Sequence, residues 1–315
     1  MDDMYPLLVI LGPTAAGKTR LSLELAREVR GEIISADSMQ IYRGMDIGTA
    51  KASLEKRRTI KHHLIDIVDP DQEFSVADFQ KRVDRLIPQI IARGHLPMLV
   101  GGTGLYIKAV VEGFLFPEME SDPKLRKKLK QEAEKYGNQY LHNQLKEIDP
   151  ELADKLHPND LRRIIRGIEV YQQTGKTITY FKKKQAEKPS RYRALKIGLI
   201  RDREELYARI NKRVDLMIEE GLVDEVKGLL KKGYDLSSTA LQGLGYKEII
   251  GYLKGEYDLN VAIRILKRNT RHFAKRQLTW FKRDPDIHWF NLSKLDQQEV
   301  YEGVLKLIDN FFGTS

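Results

Sequence analysis

The chain has 315 residues, 41% of them hydrophobic and 31% charged, a balance that suits one large or two medium globular domains with a sizeable core. It contains no cysteine, which excludes disulfides, thiolate nucleophiles and Cys-based zinc or iron–sulfur sites. No run approaches the roughly 20 apolar residues of a membrane span and the N-terminus lacks a signal pattern, so a cytoplasmic protein is expected; the 54 Lys and Arg against 45 Asp and Glu leave a net charge of +9, which suggests a polyanionic partner.

Tyr5 to Leu11 reads as a buried parallel strand, and Thr19 to Val29 as a helix with Leu21, Leu25 and Val29 at helical spacing. Between them lies Gly12-Pro13-Thr14-Ala15-Ala16-Gly17-Lys18-Thr19, which fills every fixed position of the G-x-x-x-x-G-K-[ST] phosphate loop. Gly12 and Gly17 let backbone N–H groups converge on phosphate oxygens, Lys18 can reach the outer phosphate, and Thr19 offers a hydroxyl to Mg²⁺. The loop by itself does not say which bond near the phosphates breaks.

Glu32 to Ser35 is a second strand that empties into Ala36-Asp37-Ser38-Met39-Gln40, at the strand end where open α/β sheets place ligands. Asp37 reads either as a cap or turn residue or as a general base. His62 and His63 adjoin a strand-like Leu64 to Val68; as neighbours they alternate faces, which argues against a shared metal. Val76 to Arg93 reads as a helix closed by Gly94, and Pro97 to Val100 as a strand running into Gly101-Gly102-Thr103-Gly104, where a tight turn and a close substrate approach are both open readings.

From about Phe116 to Lys188 strand-like runs vanish and charged helical segments follow one another, which predicts an inserted helical domain. There Arg162 and Arg166 are spaced i, i+4 with Arg163 beside them, either a solvated basic face or a phosphate contact. Leu195 to Ile200 restores a strand, and helices are expected at Glu204 to Glu219, Thr239 to Leu253 and Leu259 to about Lys282. The fold expected is α/β: a three-layer phosphate-loop core with a parallel sheet over 1–115 and 189–315, interrupted by an all-helical domain over 116–188. Arg209 and Arg213 share a helical face from which a guanidinium could reach the phosphates of Lys18, or else pair with Glu205 or Asp215. From Leu259 to Arg283 eight basic residues (Arg264, Lys267, Arg268, Arg271, Lys275, Arg276, Lys282, Arg283) occur without one acidic residue, a pattern whose natural partner is a polyanion. Phe273, Trp280 and Phe281 among them read as core or as base-stacking groups.

Taken together, the phosphate loop, Ser35-Ala36-Asp37-Ser38-Met39-Gln40-Ile41-Tyr42, Asp46-Ile47-Gly48-Thr49-Ala50-Lys51 and Gly101-Gly102-Thr103-Gly104-Leu105-Tyr106 resemble the bacterial-type tRNA dimethylallyltransferases. His157-Pro158-Asn159-Asp160, Gly243-Leu244-Gly245-Tyr246-Lys247 and Lys275-Arg276-Gln277-Leu278-Thr279-Trp280-Phe281 match the same family in the same order. The resemblance implies transfer of a dimethylallyl group from dimethylallyl diphosphate to N6 of the adenosine 3′-adjacent to the anticodon of a tRNA, with Mg²⁺ assisting and diphosphate released; the chain is expected to act as a monomer.

Carried over by position, the resemblance implies catalytic roles for Asp37, Lys18 and Arg213, with Asp37 taking a proton from the attacking amine. It implies a diphosphate site of Gly12, Thr14, Ala15, Ala16, Gly17, Lys18, Thr19 and Arg213, with Thr19 as the metal ligand. For tRNA it implies contacts by Asp37, Ser38, Met39, Gln40 and Thr103, by Leu161, Arg162, Arg163, Ile164 and Ile165, by Gln242, Gly243, Gly245, Tyr246 and Lys247, and by Lys275, Arg276, Gln277, Trp280 and Lys282. Ala16 stands where serine is common in the family, removing a hydroxyl but no backbone donor, and the cysteine-free chain has no Cys/His zinc finger of the eukaryotic kind. The residues leave three rivals: a phosphate-loop kinase of nucleotides or small molecules, a prenyltransferase acting on a free adenine nucleotide, and a non-catalytic RNA-binding protein, which would leave Lys18 and Asp37 without a task.

Overall fold

In the computed structural model, residues 4–313 are described. The first stretch contains β1 (Tyr5–Leu11), α1 (Lys18–Glu28), β2 (Gly31–Ala36), α2 (Leu54–Thr59), β3 (His62–His63), α3 (Val76–Ala92), β4 (Leu96–Gly101) and α4 (Gly104–Val111). Five helices follow: α5 (Pro123–Tyr136), α6 (Asn138–Ile148), α7 (Pro150–Ala153), α8 (Leu161–Thr174) and α9 (Ile178–Ala186). The chain then returns as β5 (Tyr192–Ile200), α10 (Arg203–Glu219), α11 (Leu222–Lys231), α12 (Tyr246–Leu253), α13 (Leu259–Phe281), β6 (Ile287–Asn291) and α14 (Gln297–Phe312). The chain forms two compact units, one from the segment up to Val111 together with that from Arg191 onward, the other from Glu112–Ser190.

The first unit is built on a six-stranded sheet in the order β3-β2-β4-β1-β5-β6, parallel throughout. Side chains alternate across a strand, so β1 splits its apolar run between two layers. Leu7, Val9 and Leu11 pack with Phe79, Val83, Ile87 and Ile90 of α3, whereas Leu8 and Ile10 pack with Leu21 and Leu25 of α1 and Val304 and Ile308 of α14. A further core joins Val214 and Met217 of α10, Val226 of α11, Ile249 of α12 and Leu266 of α13 to Ile41, Tyr42 and Met45.

The second unit is all helical. Leu129 of α5, Leu141 and Leu145 of α6 and Ile164, Ile165 and Ile168 of α8 form its core. Asp122 caps α5 through the Leu125 N–H, and Asp149 caps α7 through the Leu152 N–H, with a proline at the first turn of each helix.

Three local expectations are corrected. The strand is His62–His63 itself and not Leu64 to Val68, because Leu64 and Asp66 take positive φ angles of 59° and 56° and only Val68 pairs there, in an isolated bridge to Tyr42. The helix expected from Thr239 starts only at Tyr246, since Gly245 at φ 93° stands at its N-cap. Two of the eight cations of the basic stretch are consumed internally: Lys267 pairs with Asp215 at 2.6 Å and Arg271 donates to Asn211 Oδ1 at 2.7 Å.

Candidate active site

The phosphate loop leaves β1 at Gly12, whose φ of 144° and approach to the Leu199 carbonyl, 2.3 Å from where a Cβ would stand, admit no other residue. Gly17 forms the left-handed N-cap of α1, so the amides of the first helical turn open toward the loop. Lys18 Nζ folds back to donate to the carbonyls of Gly12 at 2.9 Å and Pro13 at 2.8 Å. Helix α10 brings Arg213 Nη1 to Thr14 Oγ1 at 3.2 Å and Arg209 Nε to the Ala15 carbonyl at 3.1 Å. Arg201, which sequence reasoning missed, donates to the Ala16 carbonyl at 3.2 Å. No local signal marks Arg201, because it reaches the loop only through the pairing of β5 with β1.

Burial lowers the Lys18 ammonium to about 8, helped by the neighbouring charge of Arg213 and opposed by that of Asp37. Burial likewise lowers Arg213, again against Asp37. Both desolvated cations share Asp37 as a counter-charge, with Glu220 acting on Arg213 as well, an arrangement that favours an entering polyanion.

These groups line one cavity of about 360 Å³, together with Thr19, Ser38, Met39, Gln40, Thr103, Gly243, Gly245, Lys247, Arg276 and Gln277. Asp37 Oδ1 accepts the Met39 N–H at 2.9 Å, closing a turn at the end of β2. Its second oxygen has no hydrogen-bond donor among the described residues. Thr103 Oγ1 accepts the Ser38 N–H at 3.0 Å, joining the ends of β2 and β4. The cavity also has an apolar flank of Ile210, Val214, Met217, Leu266 and Phe273, and takes in Gly48, Thr49 and Ala50. Helical periodicity alone marks that flank only as core.

Other expected contacts lie elsewhere. Tyr246 is fully buried, as is Ile164, and Ile165 is 4% exposed, so all three side chains belong to the core. Gln277 is also buried; Thr14 N–H donates to its Oε1 at 2.9 Å and its Nε2 donates to the Gly102 carbonyl at 2.9 Å. Leu161, Arg162 and Arg163 belong to α8 of the helical unit, where Arg162 and Arg163 are exposed and Arg163 pairs with Asp160 at 3.3 Å. Gln242 is exposed and donates to the Leu236 carbonyl at 2.8 Å, outside the cavity lining. Trp280 is half-exposed against Gly104.

On α13 and its C-cap, Arg264, Arg268, Lys275 and Lys282 are all exposed and fall within about 40° of one another around the helix axis at 3.6 residues per turn. Ala262, Leu266, Ala274, Gln277 and Phe281 occupy the opposite, buried side. The helix thus presents one basic stripe to solvent while its other face holds the cavity.

The chain is similar to known proteins along its whole length. The tRNA dimethylallyltransferase of Halothermothrix orenii is 68% identical over 313 residues, 98% of this chain and 95% of that one. The solved full-length tRNA isopentenylpyrophosphate transferase of Bacillus halodurans is 45% identical with a TM-score of 0.73, over 97% of this chain and 96% of that one. A solved eukaryotic dimethylallyltransferase acting on tRNA is 29% identical with a TM-score of 0.85, over 98% of this chain and 80% of that one. Residues 40–284 match the family model described as IPP transferase. The chain therefore belongs to the IPP transferase family.

Proposed function

We propose that this enzyme transfers the dimethylallyl group of dimethylallyl diphosphate to N6 of the adenosine 3′-adjacent to the anticodon of a tRNA, releasing diphosphate. The observation that carries this reading is the meeting, in one cavity with an apolar flank, of the cationic phosphate loop and the Asp37 carboxylate.

The chemistry follows from the side chains. As the allylic C–O bond breaks, negative charge grows on diphosphate, where Lys18, Arg213 and the loop amides stabilise it more in the transition state than in the ground state. The C–N bond forms to an exocyclic amine whose lone pair is conjugated with the ring, and the free oxygen of Asp37 accepts the proton that leaves nitrogen. Ile210, Val214 and Met217 offer the five-carbon group an apolar wall that excludes water from the electrophilic carbon.

Mg²⁺ fits this donor set: the Thr19 hydroxyl lines the cavity at the start of the helix that follows the phosphate loop, where it would hold the ion. An ion that takes most of its ligands from phosphate oxygens and water needs no more protein donors than that. When bound, it supplies Lewis-acid neutralisation of the leaving diphosphate. The base must leave the anticodon-loop stack to enter the cavity, and the stripe of Arg264, Arg268, Lys275 and Lys282 provides phosphate contacts that hold the RNA there. Arg162 and Arg163 of the helical unit are taken as further tRNA contacts, and the chain as working alone.

Incubating tRNA with the protein, dimethylallyl diphosphate and Mg²⁺, followed by mass spectrometry of the nucleosides, tests the reading. An N6-prenylated adenosine is expected without ATP; ATP-dependent phosphoryl transfer or turnover on AMP alone would replace it.

A further inference from the structure

Sequence patterns give Glu225 no task beyond the first turn of α11. In the fold its carboxylate reaches 177 to 179 residues back along the chain. Oε2 accepts the N–H groups of Asp46 at 2.9 Å and Ile47 at 2.8 Å, Oε1 accepts that of Gly48 at 3.2 Å, and the buried Tyr246 hydroxyl donates to Oε1 at 2.7 Å. Three successive amides converging on an anion form a nest, here closed by a protein carboxylate. A neutral side chain could not satisfy all four donors.

The clamped turn leads directly into the cavity wall of Gly48, Thr49 and Ala50. Its position is fixed from behind as well, since a Cβ at Gly48 would stand 2.6 Å from the Tyr246 ring. From the turn the path continues through one side chain. The Thr49 carbonyl accepts from Gln40 Nε2 at 3.2 Å, and Gln40 Oε1 accepts from Ser35 Oγ at 2.9 Å. Gln40 is therefore held at both ends of its amide, on the same strand-end loop that carries Asp37.

We infer that Glu225 is a positioning residue: by clamping the amides of Asp46, Ile47 and Gly48 it fixes the Thr49 carbonyl, and through it Gln40, so that the wall beside Asp37 is set for the acceptor base. This rests on the prenyl-transfer reading given above. The diphosphate site lies outside this path, because Lys18, Thr14 and Arg213 make no hydrogen bond to Glu225, Tyr246 or Gln40.

The test has a structural and a kinetic arm, both on the full chain. Hydrogen exchange of the amides of residues 46–48 is expected to accelerate at least ~tenfold in Glu225→Gln, the loss of about one charge-assisted hydrogen bond each. This readout needs no activity, so it stands even if the wild type prenylates nothing, an outcome that would overturn the proposed function instead. In a prenylating wild type, Glu225→Gln is expected to lower kcat ~10–100-fold while the KM for dimethylallyl diphosphate stays within about twofold, as small misplacement of reacting groups does. Tyr246→Phe, which removes one hydroxyl from the clamp, is expected to show the same pattern at smaller amplitude and guards against a Glu225 variant that fails to fold. Combined with Gln40→Ala, the Glu225→Gln effect is expected to shrink, because both act on one path. Unchanged exchange would overturn the clamp; accelerated exchange with wild-type kcat, a loss confined to diphosphate KM, or strict additivity with Gln40→Ala would overturn the positioning role.

Discussion

Gln277, on the buried side of the helix that carries the basic stripe, accepts the Thr14 N–H of the phosphate loop at 2.9 Å and donates to the Gly102 carbonyl at 2.9 Å. One amide thus ties the helix that bears the basic stripe to both the phosphate loop and the second glycine-rich strand end. Gln277→Leu removes the partner shared by two groups and is expected to cost about 1–3 kcal/mol of stability and to raise the KM for dimethylallyl diphosphate, since the Thr14 N–H and the buried Gly102 carbonyl are left unsatisfied. Urea unfolding and initial-rate kinetics check both effects.

Asp37→Ala is expected to lower kcat ~10²–10⁴-fold, the usual range for a lost general base, with tRNA affinity nearly unchanged. Single-turnover prenylation and filter binding measure the two separately, and wild-type turnover in this variant would remove Asp37 from the chemistry.

Lys18, lowered to about 8 by burial and by Arg213, titrates near physiological pH. Below that value the amine is charged before ligand arrives; above it, diphosphate must draw a proton from solvent as it binds. Diphosphate affinity is therefore expected to fall as pH rises through 8, with proton uptake visible by calorimetry in buffers of different ionisation enthalpy. Stability follows the opposite sign: between 8 and 10.5 the unfolded chain holds this proton more tightly than the native one. The destabilising effect of burying the charge is full below pH 8 and fades toward 10.5, so Lys18→Met is expected to raise Tm at pH 7 more than at pH 10.

Replacing Lys275 and Arg276 with alanine is expected to weaken tRNA binding and to reduce the slope of log affinity against log salt by ~1 for each phosphate no longer neutralised. Titrations of labelled tRNA at several salt concentrations read this slope, and an unchanged slope would make the two residues structural.

Glu32, 3% exposed at the start of β2, accepts from Arg93 Nε at 3.0 Å and Nη2 at 2.6 Å and meets His63 Nε2 at 2.6 Å. Burial would raise its carboxyl, but Arg93 and His63 together hold it at about 2. Its contribution is therefore full above pH 4.5 and lost as pH falls toward 2. Glu32→Ala, which removes the acceptor shared by Arg93 and His63, is expected to lower stability at neutral pH, as read by urea unfolding, and to leave it little changed near pH 2.

The strands β1, β2, β4 and β5, the phosphate loop and the polar stretch from Asp37 to Gln40 were legible because each is a local pattern: an apolar run, fixed glycines, polar residues at a strand end. The change of texture after Phe116 was legible for the same reason. The faces of α13 required geometry. Composition marked its cations as one block, yet Lys267 and Arg271 turn to partners on α10 while Arg264, Arg268, Lys275 and Lys282 form the exposed stripe.

By itself, the sequence determined that a phosphate-loop α/β protein with an acid-free basic helix is built from this chain, since propensity, loop chemistry and charge act over a few residues. Only the tertiary structure decided that Arg201 reaches the loop, that Tyr246 and Gln277 face inward, and that Glu225 closes on the turn at Asp46. Those contacts span up to 263 residues and arise from strand pairing and helix packing, where burial selects which of several chemically similar side chains has the partner.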